Sequence, residues 1–188
     1  MTTTLSRTIR VHRPVVPTAP AAPVQLAPRT GVVEGARLLL VDNGKPRARD
    51  LLGMLAEELG RLLPLGSVEM VSKPSAASPL ADEEASEIAK RVDLVVTGLG
   101  DCGACSACSL HDALLFERAG VPATVLITDV FVSHVARFAV NLGAPGYHSL
   151  VVPHPAATKT DQQLGLLALS VAPAARDQLS THGASSVR

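Results

Sequence analysis

The sequence predicts an α/β protein. It should fold as a mostly parallel, doubly wound sheet of about five strands with helices on both faces, in a single domain entered by an extended N-terminal arm. Three observations carry this. Strand-sized apolar runs alternate with helix-length segments whose leucines recur at helical spacing. The strands lack polar alternation, as strands covered on both faces do. At 188 residues the chain is long enough for one substantial core and short for two.

Residues 37–41 form the first apolar strand. Asp42-Asn43-Gly44 breaks it before a segment carrying Leu51, Leu55, Leu59 and Leu62 on one helical face. Residues 67–71 read as a second strand, and a loop through Pro74 and Pro79 leads to Asp82, placed to cap a helix reaching about Lys90. Residues 93–97 make a third strand, followed by Gly98-Leu99-Gly100 and a helix ending near Gly120. That helix begins either near Ala104 or at Ser109. In the second case Ser109 and Asp112 have capping-box spacing, and the cysteines stay in the preceding loop. Residues 123–127 and 149–152 supply the last two strands, separated by a helical stretch over 130–142, and a final helix covers about 161–169. Right-handed crossovers between parallel neighbours turn these five units into a flavodoxin-like sheet, with 25–175 as the domain. Residues 1–24, with Pro14, Pro17, Pro20 and Pro23, are expected to be a flexible segment, and 176–188 a disordered tail.

Charge and composition narrow the partners. Lys and Arg number 17, as do Asp and Glu, so no net field draws the chain to nucleic acid or an anionic membrane. Without Trp, and with one Tyr and three Phe, there is little aromatic surface for stacking bases. No apolar run reaches the roughly 18 residues that span a bilayer. Arg7, Arg10 and Arg13 precede no continuous apolar stretch of the secretory kind, so a cytoplasmic location is expected. What remains is a small-molecule substrate, with room for a partner subunit or a second copy of the chain.

In doubly wound sheets ligands bind beyond the carboxyl ends of the strands, where the strand order reverses. That edge would collect Asp42, Asn43 and Lys45 after the first strand, Asp101 and Cys102 after the third, Thr128 and Asp129 after the fourth, and His154 after the fifth. All three cysteines of the chain, Cys102, Cys105 and Cys108, fall within seven positions of sequence following the third strand. A helix N-terminus favours thiolate over thiol. Three readings stand. Cys102 and Cys105 suit dithiol chemistry, with Cys102 attacking and Cys105 resolving. Cys102, Cys105 and Cys108 could instead ligate zinc or an iron–sulfur cluster, with His111 or His154 as an extra ligand, although the fourth cysteine is absent. Or three small residues pack at a tight turn.

The stretch Gly-Leu-Gly-Asp-Cys-Gly-Ala-Cys-Ser-Ala-Cys-Ser-Leu-His-Asp-Ala, from Gly98 to Ala113, resembles the signature of the UGSC-motif family of selenoproteins and their cysteine homologues. Leu-Ala-Pro-Arg at 26–29, Val-Asp-Asn-Gly-Lys-Pro at 41–46 and Val-Pro-His-Pro at 152–155 resemble accompanying blocks. The resemblance places selenocysteine's counterpart at Cys102 and the motif's last cysteine at Cys105. Ala104 stands where the family usually has serine. It implies redox or nucleophilic sulfur chemistry, as in a thiol-dependent oxidoreductase or reductase-like enzyme, without naming a substrate. A more distant similarity is to the selenocysteine-bearing subunits of amino-acid reductases, which work beside partner subunits.

Among the polar neighbours, Asp101 could orient a substrate amine or a histidine, or cap the helix, but a carboxylate beside a thiolate also raises the thiol's pKa. His154, rigid between Pro153 and Pro155, suits a general acid/base aimed into the crevice. Lys45 could bind an anionic group, and Asp42, Asn43, Thr128 and Asp129 are further substrate-binding candidates. His134 and His148 carry no distinguishing context. Gly98, Gly100 and Gly103 match a dinucleotide pattern, but its acidic residue would have to be Asp129, too far along. There is no phosphate-binding Gly-Lys-Ser/Thr and no Gly-x-Ser-x-Gly elbow. No cofactor is expected under the dithiol reading.

Overall fold

The structure, a computed structural model, describes residues 21–180. Five parallel strands lie in the order β2-β1-β3-β4-β5: β1 (Ala36–Asp42), β2 (Leu65–Ser72), β3 (Leu94–Gly100), β4 (Ala123–Thr128) and β5 (Ser149–Val152). This is the flavodoxin-like order, and it reverses between β1 and β3. All seven residues of β3 and all six of β4 are buried, which is why neither alternates. The helices are α1 (Ala48–Leu62), α2 (Asp82–Ala89), α3 (Gly103–Arg118), α4 (Val132–Asn141) and α5 (Asp161–Ser180), with a 3-10 turn, Asp129–Phe131, leading into α4.

Strand periodicity sorts the core into two layers. Leu38, Leu40, Leu94, Val96, Leu126 and Leu150 point to the face covered by α1 and α5. Leu39, Val41, Val95, Val125 and Ile127 point to the face covered by α2, α3 and α4. Phe116 on α3 is the largest side chain wholly enclosed. Buried on nearly every side, α3 carries polar residues inward as well: Ser106, Ser109, Asp112 and Glu117 are all buried. Each has a partner. The Glu117 carboxylate takes Arg29 in a buried ion pair and accepts the Ala27 N–H at 2.7 Å and the Ala123 N–H at 3.0 Å. Asp112 pairs with buried Lys73 and accepts the Leu80 N–H at 2.7 Å, tying the β2–α2 loop to α3.

Several boundaries differ from expectation. β3 runs on through Gly98-Leu99-Gly100 instead of ending at Thr97, because those residues are enclosed between the helical layers. α3 begins at Gly103, the earlier of the two starts. Ser109 and Asp112 are therefore not a capping box but inward-facing residues within the helix. Asp82 is the first residue of α2 rather than its cap. Leu62 is 40% exposed, off the buried stripe of α1. The last helix does not stop near Leu169. Val171, Ala172, Ala175 and Leu179 continue its buried face past Pro173 to Ser180, so 176–180 of the expected tail are helical, while 181–188 lie outside the described residues. The expected arm at 1–24 lies outside them up to residue 20. Beyond it, Val24 N–H bonds the Gly143 carbonyl at 2.8 Å, so packing begins before residue 25.

Candidate functional site

The reversal between β1 and β3 brings two chain crossings together: the β1–α1 loop with Lys45, and the β3–α3 junction with Asp101 and Cys102. The β1 loop is fixed from within. Asn43 is fully buried, and its side-chain N–H₂ donates to Leu99 O at 2.9 Å and to Ser109 Oγ at 3.0 Å. Asp42 is also buried, accepting the Gly44 N–H and the Ser72 hydroxyl. Asn43 holds the loop against β3 and α3 and Asp42 ties it to the end of β2; both side chains are buried in these bonds.

Cys102 is extended, at φ −158°, and caps α3: its sulfur accepts the Cys105 N–H at 3.3 Å. Its carbonyl accepts the Ser106 hydroxyl at 2.6 Å and the Ser106 N–H at 3.0 Å. Gly100 makes room for this. A Cβ there would lie 2.7 Å from Ser106 Oγ and 2.8 Å from Ile127 Cγ2. Cys105, one turn into the helix, is fully buried, and the two sulfurs are 2.8 Å apart. All three cysteines are free thiols. The Asp101 N–H donates to the Cys105 sulfur at 3.3 Å.

The two thiols differ electrostatically. Partial burial pushes the Cys102 thiol up, but the Cys105 S–H and N–H, together with the charge and hydrogen-bonding reach of Lys45, outweigh it and hold the pKa below the usual value. Cys105 goes the other way, pushed up to about 11 by burial first and by its neighbour Cys102 second. One thiol is set to ionise and the other to keep its proton. Cys108 is raised by burial as well; Lys73 lowers it and Asp112 raises it, which places it beside that buried ion pair, a turn beyond the Cys102–Cys105 pair.

Asp101 and His154 meet across the site. His154 Nδ1 lies 2.9 Å from Asp101 Oδ1 and 3.0 Å from Thr128 Oγ1. The Thr128 hydroxyl can donate to Gly100 O at 3.2 Å, so both neighbours of Nδ1 suit a proton on that nitrogen, leaving Nε2 as the acceptor in the neutral ring. The Asp101 carboxylate also accepts the Ala156 and Ala157 N–H groups, each at 3.3 Å, which fixes the β5–α5 loop. Asp129 accepts the His154 N–H at 3.1 Å. Phe131 meets the imidazole edge-on, with centroids 5.7 Å apart.

The structure thus gathers Lys45, Asp101, Cys102, Cys105, Thr128, Asp129 and His154 at one edge, with Asp42 and Asn43 beneath. Sequence reasoning missed Ser106, whose spacing of four from Cys102 on a helix was the available signal. It also missed His134, which had none: α4 folds its imidazole over Gly103.

Two prosthetic groups can be tested against this geometry. Among the described residues no three His, Cys, Asp or Glu side chains are grouped to hold a metal ion. Two thiolates on a tetrahedral zinc, with Zn–S near 2.3 Å, would also stand roughly 3.8 Å apart, against 2.8 Å here. The alternative ligand set of Cys102, Cys105 and Cys108 is not assembled. Sheets of this strand order can bind FMN at the reversal, but the loop does not fit a flavin phosphate. The Gly44 and Lys45 N–H groups already bond Asp42 and Asn43, at 2.9 and 3.2 Å, and the Asp42 carboxylate sits below them.

Residues 10–181 match the model of the UGSC family. A search of curated proteins finds no match. Solved structures similar in fold include a diflavin flavoprotein A3 from Nostoc sp., at 17% identity over 78% of this chain and 96% of that one, TM-score 0.40. Another is a flavodoxin-like domain from Synechococcus sp., at 15% identity over 72% and 90%, TM-score 0.40. No comparison links the chain to amino-acid reductase subunits. Among the described residues no helix is long and apolar enough to cross a membrane.

Proposed function

The chain belongs to the UGSC family, and from that premise we propose that it is a thiol-dependent oxidoreductase of a small molecule, with Cys102 as nucleophile and Cys105 as resolving thiol. The observation that carries this reading is the pairing of two sulfurs 2.8 Å apart with opposite pKa shifts. An ionised Cys102 is the attacking form, and a protonated Cys105 waits.

The substrate this chemistry suits has a reducible bond X–Y between two heteroatoms, such as a disulfide. The Cys102 thiolate attacks X, forming an S–X bond, and Y leaves with the bonding pair and takes a proton. Cys105 then gives up its proton and attacks Cys102 Sγ. A disulfide forms, and X leaves with its electron pair and takes the proton. The substrate has gained two electrons and two protons, and the dithiol has lost them. An external thiol reductant restores it by exchange. Lys45 steadies the thiolate. His154, oriented by Asp101 and Thr128, offers Nε2 for proton transfer at the crevice mouth. Little movement is needed for closure, since a disulfide requires about 2.05 Å between sulfurs.

Iodoacetamide labelling with peptide mapping tests the assignment. Wild type should show one fast-reacting thiol, Cys102, lost only in Cys102→Ser and kept in Cys108→Ala. Equal, slow labelling of all three cysteines near neutral pH would overturn it.

A further inference from the structure

One donor in the site is aimed at the sulfur that does not attack first. The Asp101 N–H reaches the Cys105 sulfur at 3.3 Å, where it would stabilise a thiolate, yet at rest Cys105 is the thiol of the pair that keeps its proton. Its own S–H has two acceptors, the Cys102 sulfur at 2.8 Å and the Cys102 carbonyl at 3.3 Å. Lys45, within hydrogen-bonding reach of Cys102, exerts its charge on both sulfurs. Around the pair, the Asp101 carboxylate takes His154 and the Ala156 and Ala157 N–H groups, and Asp129 takes the His154 N–H. Cys108 lies beside Lys73 and Asp112, and His134 lies over Gly103.

Two thiolates 2.8 Å apart in a partly buried site strongly disfavour each other. The pair therefore holds one charge at a time, and at rest Cys102 has it. Burial, the S–H bond to Cys102 and the charge on Cys102 keep the Cys105 proton in place, in that order, while the Asp101 N–H and Lys45 oppose them. When the Cys102 thiolate bonds X, the S–H bond and the charge are lost and the opposing groups remain. Resting on the dithiol reading above, we infer that the adduct itself arms the resolving thiol: the Asp101 N–H and the Lys45 charge, released from a Cys102 thiolate, receive the charge that forms on Cys105. Lys45 thus serves the two sulfurs in turn, and the Asp101 N–H is preorganised for the second step. The step balances. Cys102–S–X–R and Cys105–SH give the Cys102–Cys105 disulfide and H–X–R: the Cys105 electron pair forms the S–S bond, the S–X pair leaves with X, and the proton given up by Cys105 is taken up by X.

Alkylating Cys102 with iodoacetamide makes a stable, uncharged counterpart of the adduct, and in a Cys108→Ala background the ultraviolet absorbance of thiolate then follows Cys105 alone. Before alkylation Cys105 should ionise near its resting value of about 11. With Cys102 alkylated the midpoint should fall, leaving roughly tenfold or more additional Cys105 thiolate at neutral pH. Cys102→Ser, which replaces the thiolate by a neutral oxygen and adds no group, should lower it likewise. In the alkylated protein Lys45→Met should reverse much of the fall and Lys45→Arg, which keeps the charge, should preserve it. A midpoint that stays or rises in both the alkylated and the Cys102→Ser proteins, or one that Lys45→Met leaves unmoved, overturns the inference. The dithiol reading fails by a different route. With 5,5′-dithiobis(2-nitrobenzoate), the Cys108→Ala protein should release thionitrobenzoate in an attack phase and then a resolution phase, the latter lost in Cys105→Ser. Absence of the resolution phase while the titration behaves as expected would show that the thiols do not close, and the armed step would fall with the reading it rests on.

Discussion

At the scale of single residues, the site's chemistry lies in one asymmetry. Cys102 and Cys105 share a helical turn, yet one thiol is held down by donors and the Lys45 charge and the other is pushed up by burial. The alkylation rate of Cys102 should therefore rise with pH through a midpoint below the unperturbed value of about 8.5. Lys45→Met should move that midpoint upward, as a pH series of iodoacetamide rates would show; an unchanged midpoint would remove Lys45 from the site. The sign for stability follows from linkage. A depressed native pKa contributes stability fully above the unfolded value, and that contribution disappears as pH falls through the native value. Gly100 carries a second, steric prediction. A methyl group there would press on Ser106 and Ile127, so Gly100→Ala should cost about 1–3 kcal/mol by overpacking, measured by denaturant unfolding, and should slow Cys102 labelling because Ser106 holds the Cys102 carbonyl. That Cys102 and Cys105 would lie side by side at the start of α3 was legible from their spacing. That Asn43 faces inward was not, because its partners, Leu99 and Ser109, lie 56 and 66 residues away.

At the scale of elements, periodicity named the strands and located four of the five helices well, and its failures have physical causes. β3 is enclosed on all sides and α3 on nearly every side beyond its first two residues, so no amphipathic contrast marked where one stopped and the other began. Ser109 and Asp112 mimic a capping box, yet they are polar because they meet Asn43 and Lys73 inside the molecule. In α5, Pro173 interrupts a buried stripe half of which is alanine, Ala168, Ala172 and Ala175, which gives little hydrophobic signal. The Lys73–Asp112 pair also yields a test of how α3 is held. Burial raises the Asp112 pKa and Lys73 opposes it. Lys73→Met leaves a buried carboxylate uncompensated and should cost about 3–5 kcal/mol, while Lys73→Met with Asp112→Leu should recover much of the loss. Chemical denaturation of both variants reads the difference; equal loss in the two would show that the pair contributes nothing specific.

At the scale of the whole molecule, the flavodoxin-like order places the reversal of the sheet under the thiols, and residues 26–29 close the opposite end. Ala27 is buried and Arg29 pairs with Glu117 beneath β4. Removing residues before 21 should leave cooperative unfolding intact, whereas Arg29→Met should lower the transition midpoint; a truncation that abolishes cooperativity would contradict the first expectation. The fold class was readable from alternation alone, and the residues that share the carboxyl edge of the sheet from the positions that follow each strand. The approach of His134 to the motif was not, since it depends on how α4 lies across α3. The central claim, that the Cys102–Cys105 pair is a working dithiol, is tested most directly by mass spectrometry of protein equilibrated across glutathione ratios from reducing to oxidising. The account predicts one intramolecular disulfide, Cys102 to Cys105, that appears and disappears reversibly while Cys108 stays free. A bond recovered only between Cys108 and another chain, with Cys102 and Cys105 reduced throughout, would contradict it.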